Sequence, residues 1–173
     1  MINENISNDV KNKLSDIQEG INKRFLKYMK DTEDLDLSNK ELSERLSRIV
    51  TKQITIHIPN VKADKKDSDP DTNFISYNEP LELKATSSKY QWQSGKFSKR
   101  FGNFLLVGWE LVDNEVKLFM ILTDLKKKDW KVSESTNRYS TSINLKYIIE
   151  NCEYEILVGD ISQKQVQIHM VKQ

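Results

Sequence analysis

Leu81-Glu82-Leu83-Lys84-Ala85-Thr86 is the stretch on which the fold turns. Apolar and polar residues alternate with a period of two. As a strand it puts Leu81, Leu83 and Ala85 on one face and Glu82, Lys84 and Thr86 on the other. The first face can anchor in a core, while the second presents a carboxylate and an ammonium group side by side. Immediately upstream, Asn78-Glu79-Pro80 reads as a turn, and Phe74, Ile75 and Tyr77 as a short preceding strand. The lysine- and aspartate-rich run from Asn60 to Asn73, broken by Pro70, reads as a solvated loop that leads into it.

Working outward, the N-terminal third is helical in pattern. Ile2, Ile6, Val10, Leu14, Ile17, Ile21, Phe25 and Met29 recur every three or four positions, the stripe of a long amphipathic helix. Ser38-x-x-Glu41 is a capping-box pattern that opens a second helix with Leu42, Leu46, Ile49 and Val50 inward. Ile54-Thr55-Ile56-His57-Ile58 alternates and stops at Pro59, which predicts a strand with His57 on its polar face. Downstream of the central stretch, residues 87 to 103 are polar and basic. Phe104 to Trp109 and Val116 to Leu122 then predict a buried hairpin turned at Asp113-Asn114. A polar stretch from Ser133 to Ser142 leads to a short helix with Ile143, Leu145, Ile148 and Ile149, followed by strands at Tyr154 to Val158 and Val166 to Met170. The order of elements fits an α/β fold of α+β character with an N-terminal helical segment.

The 173 residues suit one domain over 1–173, helical over 1–52 and with the sheet over 53–173. No apolar run approaches the roughly 18 residues of a membrane span, and the N-terminus lacks the pattern of a secretory signal, so the expected location is the cytoplasm. A single cysteine, Cys152, and two distant histidines leave no cysteine–histidine metal cluster, so a metal here would take oxygen ligands. The net charge of +1 hides segregation: residues 86–131 hold nine basic against five acidic residues, a local +4, while acid gathers around Asp31–Asp36 and Asp64–Asp71. Such a division suits a protein that holds a metal with carboxylates and phosphates with lysines.

Pro70-Asp71, ten intervening residues, then Glu82-Leu83-Lys84 resembles the motif of the PD-(D/E)xK nuclease superfamily. The resemblance implies a restriction-endonuclease-like core, a central mixed β-sheet flanked by helices, in which the aspartate and the E-x-K lie on neighbouring strands. It implies Asp71, Glu82 and Lys84 as catalytic residues, and Mg2+ held by Asp71, Glu82 and the backbone carbonyl of Leu83. Magnesium chemistry agrees with such a donor set, because the ion favours hard oxygen ligands and keeps several waters. Asp69 is the competing ligand to Asp71, with Asp64 and Asp67 behind it. An early-helix glutamate near the metal would be Glu41 or Glu44, although Glu41 also serves the capping box.

The run from Ala85 to Arg100 is similar to the segment after the catalytic strand of type II restriction endonucleases, where Lys89, Gln91, Gln93, Lys96, Lys99 and Arg100 carry donors suited to base edges and phosphates. Trp92 and Phe97 read as packing residues. Lys126-Lys127-Lys128 could follow a phosphate strand. Arg138-Tyr139-Ser140-Thr141-Ser142 resembles a stretch found before the late helix of several such enzymes, which adds Arg138 and Thr141 to the DNA-binding candidates. The expected function is a type II restriction endonuclease that cuts double-stranded DNA at a short specific sequence, leaving 5′-phosphate and 3′-hydroxyl ends. The expected partners are a second copy in a homodimer and a cognate DNA methyltransferase in the same system. The N-terminal stripe serves either that dimer or packing on its own sheet. The competing expectations are a structure-specific repair or junction-resolving nuclease and a non-catalytic DNA-binding module.

Overall fold

A computed structural model of the chain describes residues 1–58, 62–63, 73–76, 79–87, 90–94, 101–135 and 138–159. Helix α1 runs over Glu4–Asp31 and α2 over Asn39–His57. They are followed by β1 (Lys62–Ala63), β2 (Asn73–Ser76), β3 (Glu79–Ser87), β4 (Gln91–Ser94), β5 (Gly102–Val112) and β6 (Glu115–Leu125). A 3₁₀ turn at Lys127–Asp129 leads to β7 (Lys131–Ser135), β8 (Arg138–Asn144), α3 (Leu145–Asn151) and β9 (Glu153–Val158). Six strands form one mixed sheet in the order β1-β2-β3-β5-β6-β9, and a second sheet has the order β4-β8-β7.

The large sheet is mixed because β3 and β5 run parallel, pairing Leu81 with Asn103 through Ser87 with Trp109, while its other pairs are antiparallel. A parallel pair needs a long return connection. Here the return contains β4, which joins the second sheet instead of the first. The β5–β6 hairpin turns at Asp113 and Asn114, both at positive φ (50° and 64°), as the sequence predicts.

Each face of the large sheet has its own core. On one face α1 and α2 pack through Ile6, Val10, Ile17, Ile21, Phe25, Leu46, Val50 and Ile54 onto Leu81, Leu83, Leu105, Val107, Trp109 and Leu118. Trp109 donates its indole N–H to Ser47 Oγ at 3.0 Å, tying α2 to β5, and Gln18 Nε2 donates to the Val116 carbonyl at 2.7 Å, tying α1 to β6. The amphipathic stripe of α1 is therefore consumed by its own sheet, the packing alternative among the two expected for it. Gly20 lies where the helices approach, since a Cβ there would meet the side chains of Gln53 and His57. On the opposite face the second sheet and α3 pack through Tyr90, Trp92, Trp130, Ile143, Leu145 and Ile148 onto Phe104, Leu106, Phe119 and Ile121.

Several sequence expectations are corrected. Ile54 to Ile58 is not a strand: α2 continues through His57, and Leu46, Val50, Ile54 and Ile58 form a single i, i+4 stripe of buried residues. Ile56, which strand alternation would bury, is exposed. The polar stretch from Ser133 to Ser142 is not a simple lead-in to a helix but contributes to the hairpin β7–β8, and Ile143, expected in the last helix, belongs to β8, with α3 starting at Leu145. The stretch from Asn60 to Asn73, expected as a loop, contains the short strand Lys62–Ala63 and gives Asn73 to β2. The expected strand at Val166 to Met170 lies outside the described residues.

Candidate functional site: a buried carboxylate–ammonium pair on strand β3

Strand β3 does what its alternation predicts. Leu81 and Leu83 are 2% and 3% exposed and belong to the core under the helices. Glu82 and Lys84 point to the other face, and Lys84 Nζ stands 2.9 Å from Glu82 Oε1 with side-chain exposures of 5% and 11%. The registers place Phe104 beside Glu82 and Leu106 beside Lys84, both fully buried apolar residues. The pair thus sits against an apolar floor, where charge–charge attraction is stronger than in water and where loss of the Lys84 ammonium would leave the Glu82 carboxylate buried without it.

On the far side of β3, β2 runs antiparallel with Asn73 opposite Glu82 and Phe74 opposite Leu81. β2 is thus the neighbour of β3 on that side, and its described part begins at Asn73. Asp71 itself, with its rivals Asp69, Asp67 and Asp64, lies outside the described residues, as do Lys89, Lys96, Phe97, Lys99 and Arg100. Among the described residues, no three His, Cys, Asp or Glu side chains gather into a metal cluster. Glu82 and the Leu83 carbonyl are hard oxygen donors of the type magnesium takes, and that ion is commonly held by only one or two carboxylates with waters and substrate phosphate.

The early-helix glutamates are engaged elsewhere. Glu41 completes the capping box: its carboxylate accepts from Ser38 N–H at 2.9 Å and Ser38 Oγ at 2.6 Å, and these bonds hold its carboxyl below the ordinary range. Glu44 ion-pairs with Lys40 on the surface and lines a groove of about 800 Å³ between α2 and β3 together with Ser47, Leu83 and Ala85. That groove is on the helix side of the sheet, away from the Glu82 carboxylate. His57 lies in the last turn of α2 and not on a strand face.

The remaining DNA-binding candidates divide. Gln91 and Gln93 are exposed on β4, flanking Trp92, which is buried and donates its indole N–H to the Val107 carbonyl at 3.0 Å. Trp92 is the packing residue the sequence predicts. Thr141, expected at the DNA, is instead 1% exposed on the same inward side of β8 as Ile143. Arg138 opens β8, where its backbone pairs with Ser135.

What sequence reasoning missed is the second sheet itself, which sets the expected DNA-binding residues Gln91 and Gln93 on a shared outward face. Gln91, Gln93, Lys128, Asp129, Lys131, Ser142, Asn144 and Tyr147 line a polar groove of about 750 Å³. Asp129 is held from inside it, its carboxylate accepting from the Lys126 backbone N–H at 2.7 Å and from the Tyr147 hydroxyl at 3.3 Å. Burial, reinforced by the Asp129 charge, raises the Tyr147 phenol above its ordinary value. The signal that could have found this face was the spacing of Gln91 and Gln93 about a buried tryptophan, which already implied a strand. Neither the protein-family models nor the curated proteins contain a match to this chain.

Proposed function

We propose that this chain is a magnesium-dependent nuclease of the PD-(D/E)xK type acting on double-stranded DNA, with Glu82, Lys84 and Asp71 as its catalytic core. The observation that carries the reading is the buried Glu82–Lys84 pair on one strand of a mixed sheet, next to an antiparallel strand that begins two residues after Asp71. Burying two charges costs more than an apolar pair of similar size would, so stability alone does not account for such a pair.

In this reading Glu82, the Leu83 carbonyl and Asp71 hold the metal. Bound there, magnesium neutralises charge on the phosphate and lowers the pKa of a coordinated water. Lys84 donates to the attacking water and stabilises the hydroxide that it becomes. The water oxygen attacks phosphorus, the bond from phosphorus to the 3′ oxygen breaks, and that oxygen takes up a proton, leaving 5′-phosphate and 3′-hydroxyl ends. The test is incubation of the protein with plasmid and phage DNA in magnesium, with the product ends sequenced. Discrete fragments lost on chelation and in Lys84→Ala support a site-specific enzyme of restriction type. Cleavage of branched or damaged DNA only would transfer the same core to a structure-specific nuclease. Equal cleavage by Lys84→Ala and wild type would remove the catalytic assignment.

A further inference from the structure

The second sheet turns its apolar side chains, Trp92 and Ile143, toward the large sheet. The same alternation turns Gln91, Gln93, Ser142 and Lys131 to the opposite face. The registers set them in rows: Gln93 opposite Ser142, which is in turn opposite Lys131, and Gln91 opposite Asn144. Asn144 is committed to capping α3, its side chain accepting from Tyr147 N–H at 2.8 Å. Gln91, Gln93 and Lys131 are exposed. Lys126, Lys127 and Lys128 stand in the turn that enters β7, at the margin of the same groove. The acid in that groove, Asp129, is 8% exposed and bonded inward.

From this placement we infer that the outward face of the second sheet enters the major groove of duplex DNA, with Gln91 and Gln93 reading base edges and Lys131 and the Lys126–Lys128 turn holding the flanking phosphates. The inference rests on the nuclease reading above. A β-ribbon fits the major groove, and a glutamine amide can both donate to and accept from adenine there. Alternate residues of a strand are about 6.6–6.8 Å apart, and base pairs rise about 3.4 Å each, so Gln91 and Gln93 match positions two base pairs apart. Lysines at the rim supply the sequence-independent attraction.

The face is also mechanically tied to the catalytic strand. β4 is an edge strand of its sheet and packs against β3. Just before β4, Tyr90 adopts φ +46°, a conformation rarely taken by an aromatic residue, with its ring over Gly108, where a Cβ would lie 2.5 Å from the ring. Its carbonyl accepts from Leu145 N–H at 3.1 Å, fixing the start of α3 as well. Tyr90, and with it the start of β4, is thereby packed on β5, the strand that pairs with β3.

The experiment selects from a randomised duplex library with the full chain in calcium, comparing wild type, Gln91→Ala, Gln93→Ala and Lys131→Ala, with plasmid cleavage in magnesium run in parallel. The inference predicts that wild type enriches a motif and that each glutamine variant relaxes one position, the two positions lying two base pairs apart, by roughly 10- to 100-fold in discrimination. Lys131→Ala is expected to weaken all duplexes about equally and to lower the salt dependence of binding by about one charge. An unchanged motif in both glutamine variants overturns the inference while the wild type still cuts. Cleavage by wild type with no enriched motif overturns it too. Failure of wild type to cut any DNA falls on the nuclease reading instead, and is told apart by the parallel arm. Because the substituted side chains are exposed, unchanged melting temperatures should accompany all three variants.

Discussion

The two faces of β3 are buried almost alike and could hardly differ more in chemistry. Leu81 and Leu83 contact the helices at 2% and 3% exposure, whereas Glu82 and Lys84 face the second sheet's side with side chains 11% and 5% exposed. The apolar face needs no explanation beyond the core: burying a leucine side chain contributes about 1.5–3 kcal/mol. The charged face gives no comparable gain, because desolvating two ions offsets most of their attraction. Equal burial with unequal return is what the proposed catalytic role of the charged face accounts for.

That contrast can be broken from either side. Lys84→Met should lower DNA cleavage by about 10²- to 10⁴-fold, measured as initial rate per folded molecule. The same variant leaves Glu82 buried without its ammonium partner and should lose about 3–5 kcal/mol in denaturant unfolding. Leu81→Ala, on the apolar face, should cost about 2–5 kcal/mol in stability, yet the cleavage rate of the molecules that remain folded should change little. If Leu81→Ala abolished cleavage in folded protein, the division of labour between the faces would be wrong.

Smaller effects sharpen the comparison away from β3. Ser38→Ala removes the α2 capping box, and its melting temperature should fall by about 2–4 °C at neutral pH. The Glu41 carboxyl is held below its ordinary value in the fold, so its contribution is present above the unfolded carboxylate pKa and is lost as pH falls through the folded one. The difference between Ser38→Ala and wild type should therefore shrink in acid. Burial and the neighbouring Asp129 push the Cys152 thiol up to about 11. Its alkylation by iodoacetamide at pH 8 should be on the order of 100-fold slower in the folded chain than after denaturation.

Much of this architecture was legible where a single pattern had a single physical cause. The β3 alternation, the apolar runs of β5 and β6 with their Asp113-Asn114 turn, and the Ser38–Glu41 box all appear where the residues put them. Ile54 to Ile58 misled because a short alternating run is compatible with both periods, and only its continuity with Leu46 and Val50 decides for the helix. The second sheet was hidden for a different reason. Its strands are short and rich in serine and threonine, and its inward residues, Trp92, Thr141 and Ile143, are spread over strands distant in sequence. Glu82 and Lys84 were legible as a same-face pair. Their burial was not, because it depends on Phe104 and Leu106 arriving from β5.

The most direct measurement replaces the pair as a unit. Glu82→Leu/Lys84→Met puts apolar side chains of similar volume on the charged face, and both its unfolding free energy and its magnesium-dependent cleavage of duplex DNA are compared with wild type. The account predicts a protein at least as stable as wild type that cuts no DNA. A double variant that unfolds several kcal/mol more easily, or one that still cuts, would contradict it, the first by making the pair structural and the second by making it dispensable.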